Sequence, residues 1–348
     1  MHSPRVTVLT AVRNGMPYLP ETVASIQAQT FTDWEYIIVD DASQDETVSW
    51  VETASKGDSR IRLIRREQQA GPFVSANEGL RQARGVYIIR TDADDLQPPS
   101  RIASQLNFLS SHEQYCACIT PWHSFNESGL IRNAITYIPS RPRVLRWFLL
   151  LHSCSSHSSL CINTESLKLM GGYRELPVAA DYALVSKLSL TCKLGVLPEI
   201  LSYVRRHKAR ISRSYGNLQF QIGTQIMGVH LEAISEVTWP DEYCSDLWLA
   251  GHAFPLSLTR GTAAINRWSS LWRKDQGLDA EDIRLLRLYE AYHSWKFLRA
   301  NARRRPFGTA LVACKLLSQT TRWRFYAPPE EYIHSNSEGL PENTRANR

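Results

Sequence analysis

The sequence lacks any long uninterrupted apolar run. Its 348 residues are 43% hydrophobic and 21% charged, an ordinary globular composition. The longest apolar candidate, from Val144 to Leu151, contains Arg146, whereas a membrane-spanning helix needs about 20 apolar residues. Met1 to Arg5 leads into a strand-like segment without the apolar stretch of a signal peptide. The sequence therefore predicts a cytoplasmic protein without a membrane-spanning helix.

The cysteines form no recognisable framework. There are seven of them, an odd number, and no two have Cys-x-x-Cys spacing. Disulfide scaffolds and structural zinc sites use paired, regularly spaced cysteines. We therefore expect reduced thiols, with neither a disulfide frame nor a zinc site.

Strand-like and helix-like segments alternate through the first third of the chain. β-forming and apolar runs predict strands at 5–11, 34–39, 61–64, 87–90 and 115–120. Helical spacing and end signals predict helices at 19–29, 44–57, 72–85 and 99–109. Ser43 and Glu46 predict a capping box for the second helix, and Gly85 predicts the end of the third. This alternation predicts an α/β fold with a mainly parallel, Rossmann-like sheet and helices on both faces.

No glycine-rich phosphate loop follows the first predicted strand. The turn from Ala11 to Pro17 contains neither Gly-x-Gly-x-x-Gly nor Gly-x-x-x-x-Gly-Lys. This argues against a dinucleotide-binding domain and against a P-loop nucleotidase. If the chain binds a nucleotide, a metal ion and basic side chains must hold most of the phosphate charge.

Acidic turns follow two of the predicted strands. Asp40 and Asp41 end the second strand, and Asp92, Asp94 and Asp95 follow the fourth. Because the carboxyl ends of parallel strands open on one crevice, both turns are expected to belong to one site. Carboxylates this close repel each other unless a cation neutralises them, and a hard divalent cation is the usual partner. The alternative for a short acidic motif is a solvated turn.

The second half of the chain is less regular. The pattern loosens after Pro121, helical spacing returns around Asp181, and residues 198–204 predict a strand. An apolar stripe from Leu285 to Leu298 predicts a helix that packs on the rest of the protein. The serine-rich stretch 153–159, with His152 and His157, could line an acceptor site, but we interpret it as a flexible loop.

Basic side chains are concentrated late in the chain, within a formal net charge of +6. The clusters comprise Arg205, Arg206, Lys208, Arg210 and Arg213, and then Arg299, Arg303, Arg304 and Arg305. They could bind nucleic acid, an anionic membrane surface or the pyrophosphate of a small substrate, and charge alone does not distinguish these.

Ordered blocks resemble the GT-A-fold glycosyltransferases of family 2, which use nucleotide-diphospho-sugars. The similar blocks are 6–11, 25–35 and 38–47; then 71–72, 77–80, 83–85 and 92–95; then 170–175 and 181–184; and last 203–212. They cover about the first two thirds of the chain, and several blocks in order are more specific than one Asp-x-Asp. The resemblance implies a GT-A catalytic domain followed by a helical C-terminal region.

The expected domain boundaries follow from this division. We expect a GT-A domain at 1–215, with a nucleotide-binding half at 1–120 and an acceptor half at 121–215, then a helical region at 216–327 and a disordered tail at 328–348.

The resemblance also assigns residues to the donor. Asp41 is expected to contact the nucleotide base, Asp92 to lie near the ribose, and Asp94 to bind Mg²⁺ or Mn²⁺. Ala11 and Arg13 are expected to line the nucleotide site. Arg13 departs from the family, where an aromatic residue commonly lies against the base, and Asp40 and Asp95 are expected to be structural, Asp95 as a helix cap.

The remaining assignments concern catalysis and phosphate. Asp181 stands where the family has its catalytic base, although Ala180 replaces the usual preceding Glu. In the segment that begins at Tyr203, Arg206 is expected to bind phosphate and His207 the metal or the pyrophosphate, with a solvated basic loop as the alternative.

The expected function is an inverting, metal-dependent hexosyl transfer from a nucleotide-diphospho-sugar, with UDP-sugars favoured. The acceptor would be a hydroxyl of a glycan or lipid-linked molecule in cell-surface polysaccharide biosynthesis, and no nucleic acid is expected as a partner. The departures at Arg13, Ala76 and Ala180 keep open a catalytically silent nucleotide-sugar binder, and a sugar nucleotidyltransferase is a more distant alternative. Basic and aromatic residues interleaved at 299–325 predict peripheral contact with the inner face of the membrane.

Overall fold

The computed structural model of the chain describes residues 3–136, 138–151, 153–154, 156–191, 193–207, 216–252 and 256–302. The strands in these ranges are β1 Val6–Val12, β2 Trp34–Asp40, β3 Ile61–Arg65, β4 Tyr87–Arg90, β5 Ala117–Ile119, β6 His123–Asn126, β7 Gly129–Ile135, β8 Cys161–Asn163, β9 Leu194–Val196 and β10 Tyr203–Arg205. The helices are α1 Leu19–Gln27, α2 Thr47–Gly57, α3 Pro72–Gln82, α4 Arg101–Ser111, α5 Pro142–Phe148, α6 Thr164–Leu169, α7 Ala180–Leu190, α8 Gly216–Ser235, α9 Asp241–Gly251, α10 Leu258–Trp272 and α11 Ala280–Ala302.

The main sheet has seven strands in the order β3-β2-β1-β4-β8-β5-β9. β3, β2, β1 and β4 are parallel to one another, and β8 runs antiparallel between β4 and β5. β1 therefore lies between β2 and β4, and the register pairs Val12 with Asp40 and Leu9 with Arg90. Both acidic turns leave the sheet at the same edge, as the sequence predicts.

Apolar side chains cover both faces of this sheet. Val8 and Ile38 pack with Leu19 and Ile26 on one face, in a cluster that includes α1. On the other face Leu9, Ile37 and Val39 join the cluster that contains Phe73 and Leu80 of α3. Successive residues of β1 and β2 point to opposite faces because the side-chain period of a strand is two. The predicted mainly parallel sheet with helices on both sides is confirmed.

A small second sheet lies beside the acidic turn. Its order is β10-β6-β7, with β10 parallel to β6. Tyr203 of β10 also exchanges two backbone hydrogen bonds with Leu96, at 2.9 and 3.0 Å. The strand predicted at 198–204 is thus limited to Tyr203–Arg205, and it attaches to the segment that follows Asp95.

The helices after residue 216 share a core with the α/β part. Trp268 and Trp272 of α10 are fully buried, and the Trp268 indole N–H donates to the Trp147 carbonyl at 3.1 Å. On α11 the buried residues include Leu286, Tyr289, Phe297 and Leu298, whereas Tyr292 and Trp295 are each 41% exposed. The predicted stripe from Leu285 to Leu298 is therefore wrong at Tyr292 and Trp295. Among the described helices, none has both the length and the hydropathy needed to cross a bilayer.

Two local predictions about helix ends are wrong. α2 begins at Thr47, and Ser43 makes no capping box, because its Oγ accepts the Asn14 backbone N–H at 2.8 Å. α3 ends at Gln82, before Gly85. Gly85 is required for close packing: a Cβ there would lie 2.3 Å from the backbone nitrogen of Thr7.

Candidate active site

The two acidic turns open on a pair of adjoining cavities of about 350 and 580 Å³. The first is lined by Asp92, Asp94, Asp181 and His207, and the second by Asp41 and Glu175. Both are lined by Ala11, Arg13 and Phe73, among others. The structure thus brings every predicted site residue except Arg206 to one crevice.

The loop after β1 is fastened to the segment before α2. The backbone N–H groups of Asn14, Gly15 and Met16 donate to Ser43 Oγ, Thr47 Oγ1 and Asp45 Oδ2, at 2.8, 2.8 and 3.1 Å. These bonds fix the backbone of Asn14, Gly15 and Met16, which line the first cavity. Arg13 itself is exposed, so its side chain can move against a ligand.

Asp41 anchors the opposite wall. Its carboxylate accepts the backbone N–H groups of Ala70 and Gly71 at 2.9 and 2.8 Å, and the Ser75 hydroxyl at 3.0 Å. Oδ1 accepts two of these bonds and also lies 3.4 Å from Arg66 Nε, whereas Oδ2 accepts one. Asp41 therefore shapes the loop before α3, and Oδ2 retains one acceptor position.

The acidic turn after β4 divides into exposed and buried carboxylates. The Asp92 side chain is 40% exposed, and its backbone N–H donates to Ser158 Oγ at 2.9 Å. Asp95 is buried and accepts the Arg205 backbone N–H at 2.9 Å. Burial, followed by the charges of Asp94 and Asp92, raises the pKa of the Asp95 carboxyl well above its usual range. The prediction that Asp95 caps α4 is wrong, because the carboxylate holds β10 to the turn.

Asp94 and His207 meet in the first cavity. His207 Nε2 lies 2.7 Å from Asp94 Oδ2, and the ring packs on Tyr18 with centroids 4.7 Å apart. Arg205 supports this arrangement. Its Nε donates to the Asp94 carbonyl at 2.8 Å, and its NH2 donates to Glu21 at 2.6 Å. An oxygen and a nitrogen donor are therefore adjacent, at the place where a divalent cation is expected.

These donors fit a cation that completes its ligand set from substrate. Within the described residues, no group of three or more His, Cys, Asp or Glu side chains could hold a metal ion. Mg²⁺ and Mn²⁺ accept carboxylate, water and phosphate oxygens, so a protein pair plus a diphosphate is a sufficient donor set.

Asp181 lies in the first turn of α7. Its Oδ1 accepts the N–H of its neighbour Tyr182 at 2.8 Å, and the preceding Ala179 has a left-handed φ of 61°. The positive end of the helix dipole favours a carboxylate here. Asp181 is partly exposed to the cavity, so a substrate hydroxyl can reach it.

Arg206 lies apart from these groups. Arg206 is not among the described residues that line either cavity. Its Nε donates to Ser124 Oγ at 3.0 Å. The buried cation at the cavity is Arg90, which the sequence reasoning missed. Arg90 is 2% exposed, and its NH2 lies 3.8 Å from Asp92 Oδ1. A charged residue at the end of an otherwise apolar strand was the available signal.

The serine-rich segment is also part of the site. Residues His157–Ser159 form a buried 3₁₀ turn, and His157 lines the first cavity. The flexible-loop interpretation is therefore wrong for these three residues. His152 and Ser155 lie outside the described residues.

Sequence comparison shows which known proteins this chain is similar to. Residues 7–167 match the profile of glycosyl transferase family 2. The chain is similar to EpsE of Bacillus subtilis, named as a glycosyltransferase, with 32% identity over 174 residues, or 50% of this chain and 61% of EpsE. An uncharacterized glycosyltransferase of Haemophilus influenzae is 28% identical over 268 residues, 70% of this chain and 81% of the relative. TuaG of B. subtilis, named for teichuronic acid biosynthesis, is 36% identical over 114 residues, 33% of this chain and 44% of TuaG. The matches thus span less than two thirds of EpsE and TuaG.

Solved structures share the fold. Staphylococcus aureus TarS 1–349 in complex with UDP-GlcNAc gives a TM-score of 0.56 at 17% identity, covering 87% of this chain and 92% of TarS 1–349. The mannosyltransferase PcManGT from Pyrobaculum calidifontis, in complex with GDP-Man and Mn²⁺, gives 0.52 at 19% identity, covering 88% of each chain. These similarities confirm the predicted GT-A-type fold.

Proposed function

We propose that this chain, whose residues 7–167 match the profile of glycosyl transferase family 2, is an inverting, metal-dependent glycosyltransferase. In this proposal a sugar moves from a nucleotide-diphospho-sugar to a hydroxyl of a glycan or lipid-linked acceptor. The observation that carries it is the arrangement of Asp94, His207 and Asp181 around one cavity. Asp94 and His207 are suited to the diphosphate, and Asp181 is suited to the acceptor hydroxyl.

The donor would bind with its diphosphate at Asp94 and His207. A nucleoside diphosphate leaves readily only when its negative charge is neutralised, and Mg²⁺ or Mn²⁺ held by these two residues would supply that charge. The buried guanidinium of Arg90, beside Asp92, adds a fixed positive charge to the same cavity. The likeness to TarS in complex with UDP-GlcNAc supports a UDP-sugar. PcManGT, in complex with GDP-Man and Mn²⁺, supports the metal.

The nucleoside would occupy the second cavity. Ala11 and Arg13 line it. Asp92, which lines the adjoining first cavity, would lie near the ribose. We propose that Asp41 contacts the base through Oδ2, whose single protein hydrogen bond leaves one position for a base N–H. Arg206 would act on phosphate only if its guanidinium left Ser124.

Asp181 would act as the general base. The acceptor hydroxyl loses its proton as it attacks, and a positioned carboxylate opposite the leaving group can accept that proton. Direct attack from that side inverts the configuration at the sugar carbon and requires no covalent intermediate. The place of Asp181 at the start of α7, lining the same cavity as Asp94, supports this role.

The proposed domain boundary between residues 215 and 216 separates parts with different functions. It does not separate two hydrophobic cores, because the helices after residue 216 share a core with the α/β part. The proposed catalytic and ligand residues precede residue 216, while Gln219 of α8 also lines the first cavity. We propose that the helical region completes the acceptor side of a GT-A domain spanning 1–215.

A thermal-shift screen tests the proposal. UDP-, GDP- and dTDP-sugars are added with and without Mn²⁺, and a ligand that binds only the folded protein raises its apparent stability. We expect a UDP-sugar to raise the melting temperature only when Mn²⁺ is present. A stabilising ligand that is neither transferred nor slowly hydrolysed would instead identify a silent nucleotide-sugar binder. No stabilisation by any sugar nucleotide would overturn the proposal.

A further inference from the structure

His157 is a buried side chain at the cavity that the proposed mechanism leaves without a role. The residue is 8% exposed, and its ring packs near two aromatic rings, with centroids 5.2 Å from Phe73 and 5.9 Å from Tyr173. Phe73 lines the same cavity, together with Asp92 and Asp181. The imidazole is therefore part of the cavity wall.

The turn that carries His157 is fixed to the acidic turn. Ser158 Oγ accepts the Asp92 backbone N–H at 2.9 Å. The Ser159 backbone N–H and hydroxyl both donate to the Ser156 carbonyl, at 3.0 and 2.8 Å. The backbone turn that carries His157 is thus held next to Asp92.

Two residues that line this cavity, and the adjacent Tyr173, have polar atoms without a partner in the described part of the protein. They are His157 Nε2, Tyr173 Oη and Arg90 Nε, all buried. The three side chains are neighbours, because the Arg90 guanidinium also lies 5.9 Å from the centre of the Tyr173 ring. Buried polar atoms are nearly always hydrogen-bonded, since each unmet bond destabilises the fold. A group of them beside a cavity indicates that a polar ligand supplies the missing bonds.

The electrostatics identify which part of a ligand lies there. Burial lowers the pKa of the His157 imidazole, and the nearby charges of Asp181 and Asp92 oppose this shift while Arg90 adds to it. His157 therefore lies within the fields of both Asp92, on the donor side, and Asp181, on the acceptor side. In an in-line displacement the transferred sugar occupies the space between the leaving diphosphate and the attacking hydroxyl.

We propose that His157 contacts the transferred sugar of the donor, with its imidazole hydrogen-bonded to a sugar hydroxyl. This assignment rests on the proposed function and makes His157 a residue that recognises the sugar. A neutral imidazole offers one donor and one acceptor, which suits a hydroxyl. Phe73 packs against the ring and fixes its position.

Ligand binding to matched variants tests the assignment. The variants are His157→Phe, which keeps a ring but removes both nitrogens, and His157→Gln, which keeps a polar group. His112→Phe is the control, because His112 stacks on Phe108 at 4.5 Å and does not line either cavity described above. Titration calorimetry with Mn²⁺ compares UDP-GlcNAc with UDP, and GDP-mannose with GDP.

We expect His157→Phe to weaken the sugar nucleotide that the unmodified protein binds by about tenfold, the effect of one lost hydrogen bond, and to leave the bare nucleotide unchanged. His157→Gln should retain part of the affinity, and His112→Phe all of it. Equal weakening of sugar nucleotide and bare nucleotide would show a merely structural role and overturn the assignment, as would unchanged affinity in His157→Phe. If the unmodified protein binds none of the four compounds, the proposed function itself fails.

Discussion

The side chains of Asp94 and His207 are in direct contact, with Oδ2 and Nε2 2.7 Å apart, although they are 113 positions apart in the chain. β10 brings them together, because Tyr203 pairs with Leu96 and Arg205 binds both Asp94 and Asp95. The two residues would therefore bind one cation jointly.

Replacement of Asp94 tests this pair. Asp94→Asn should abolish the Mn²⁺-dependent part of donor binding, because the amide provides less charge and one fewer hard oxygen. The loss should exceed about tenfold, since even residues that only orient metal ligands have effects of that size. Calorimetry with and without Mn²⁺ measures it, with the exposed Asp241→Asn as control. Unchanged Mn²⁺-dependent affinity in Asp94→Asn would contradict the metal assignment.

Asp181→Asn should separate binding from chemistry. The amide cannot accept the acceptor's proton, so transfer should fall by about 10²–10⁴-fold while donor affinity is retained. Single-turnover transfer and donor titration measure the two effects. Glu175→Gln is the matched variant, because Glu175 lines only the adjoining cavity and is the next candidate for the base. Normal turnover in Asp181→Asn would show that another residue is the general base.

Buried histidines in the helical region should make the protein acid-sensitive. Burial lowers the pKa of His230 and His252 to about 4 and that of His293 to about 3. The unfolded chain, with an ordinary histidine pKa of about 6.5, binds more protons than the folded chain between these values, so stability falls as pH falls below 6.5. Each histidine should contribute about 1–2 kcal/mol of this loss between pH 7 and pH 5.

Denaturant unfolding from pH 5 to pH 7 measures that slope. His230→Gln should reduce it, whereas His112→Gln, a partly exposed site, should leave it unchanged. An identical slope in His230→Gln and the unmodified protein would show that folding does not lower the pKa of His230.

Gly85→Ala should destabilise the sheet. The new Cβ would lie 2.3 Å from the Thr7 nitrogen and 2.5 Å from the Val6 carbonyl carbon, both backbone atoms that can move only with β1. Overpacking of this kind costs about 1–3 kcal/mol, measured as a shift in the denaturant midpoint. Gly57→Ala is the control, because a Cβ there meets nothing within 4 Å. Equal stability of the two variants would contradict the close approach of Gly85 to β1.

The C-terminal basic segment gives a prediction from sequence, since Arg303, Arg304 and Arg305 lie outside the described residues. Basic and aromatic residues together favour the interface of an anionic membrane, and exposed charge pairs are screened by salt. We expect the protein to sediment with anionic liposomes, less so as salt rises, and not at all when all three arginines are replaced by Glu. Equal recovery in the supernatant with and without liposomes at low salt would reject membrane contact.

The local pattern of the sequence was sufficient for the parallel sheet and for the place of the acidic turns. Val6–Val12 and Trp34–Asp40 are dense in β-forming residues, and each ends at a polar turn. Strand periodicity and turn residues are short-range properties, so they can be recognised without tertiary contacts. For the same reason the sequence placed Asp41, Asp92 and Asp94 at one edge of the sheet, through the rule that parallel strands end together.

Only the tertiary structure decided what each side chain contacts. Ser43 resembled a helix cap but accepts a bond from Asn14, and Asp95 resembled a cap but binds Arg205. In both cases a hydrogen-bond partner close in the sequence competes with a partner far away in the sequence. Short sequence patterns reveal only the close partner. Likewise, Arg90 and His157 are 67 positions apart, and only the packing of β4 against the turn before β8 places them in one wall. Burial, and with it the pKa of His157, is a property of that packing, which no short-range pattern encodes.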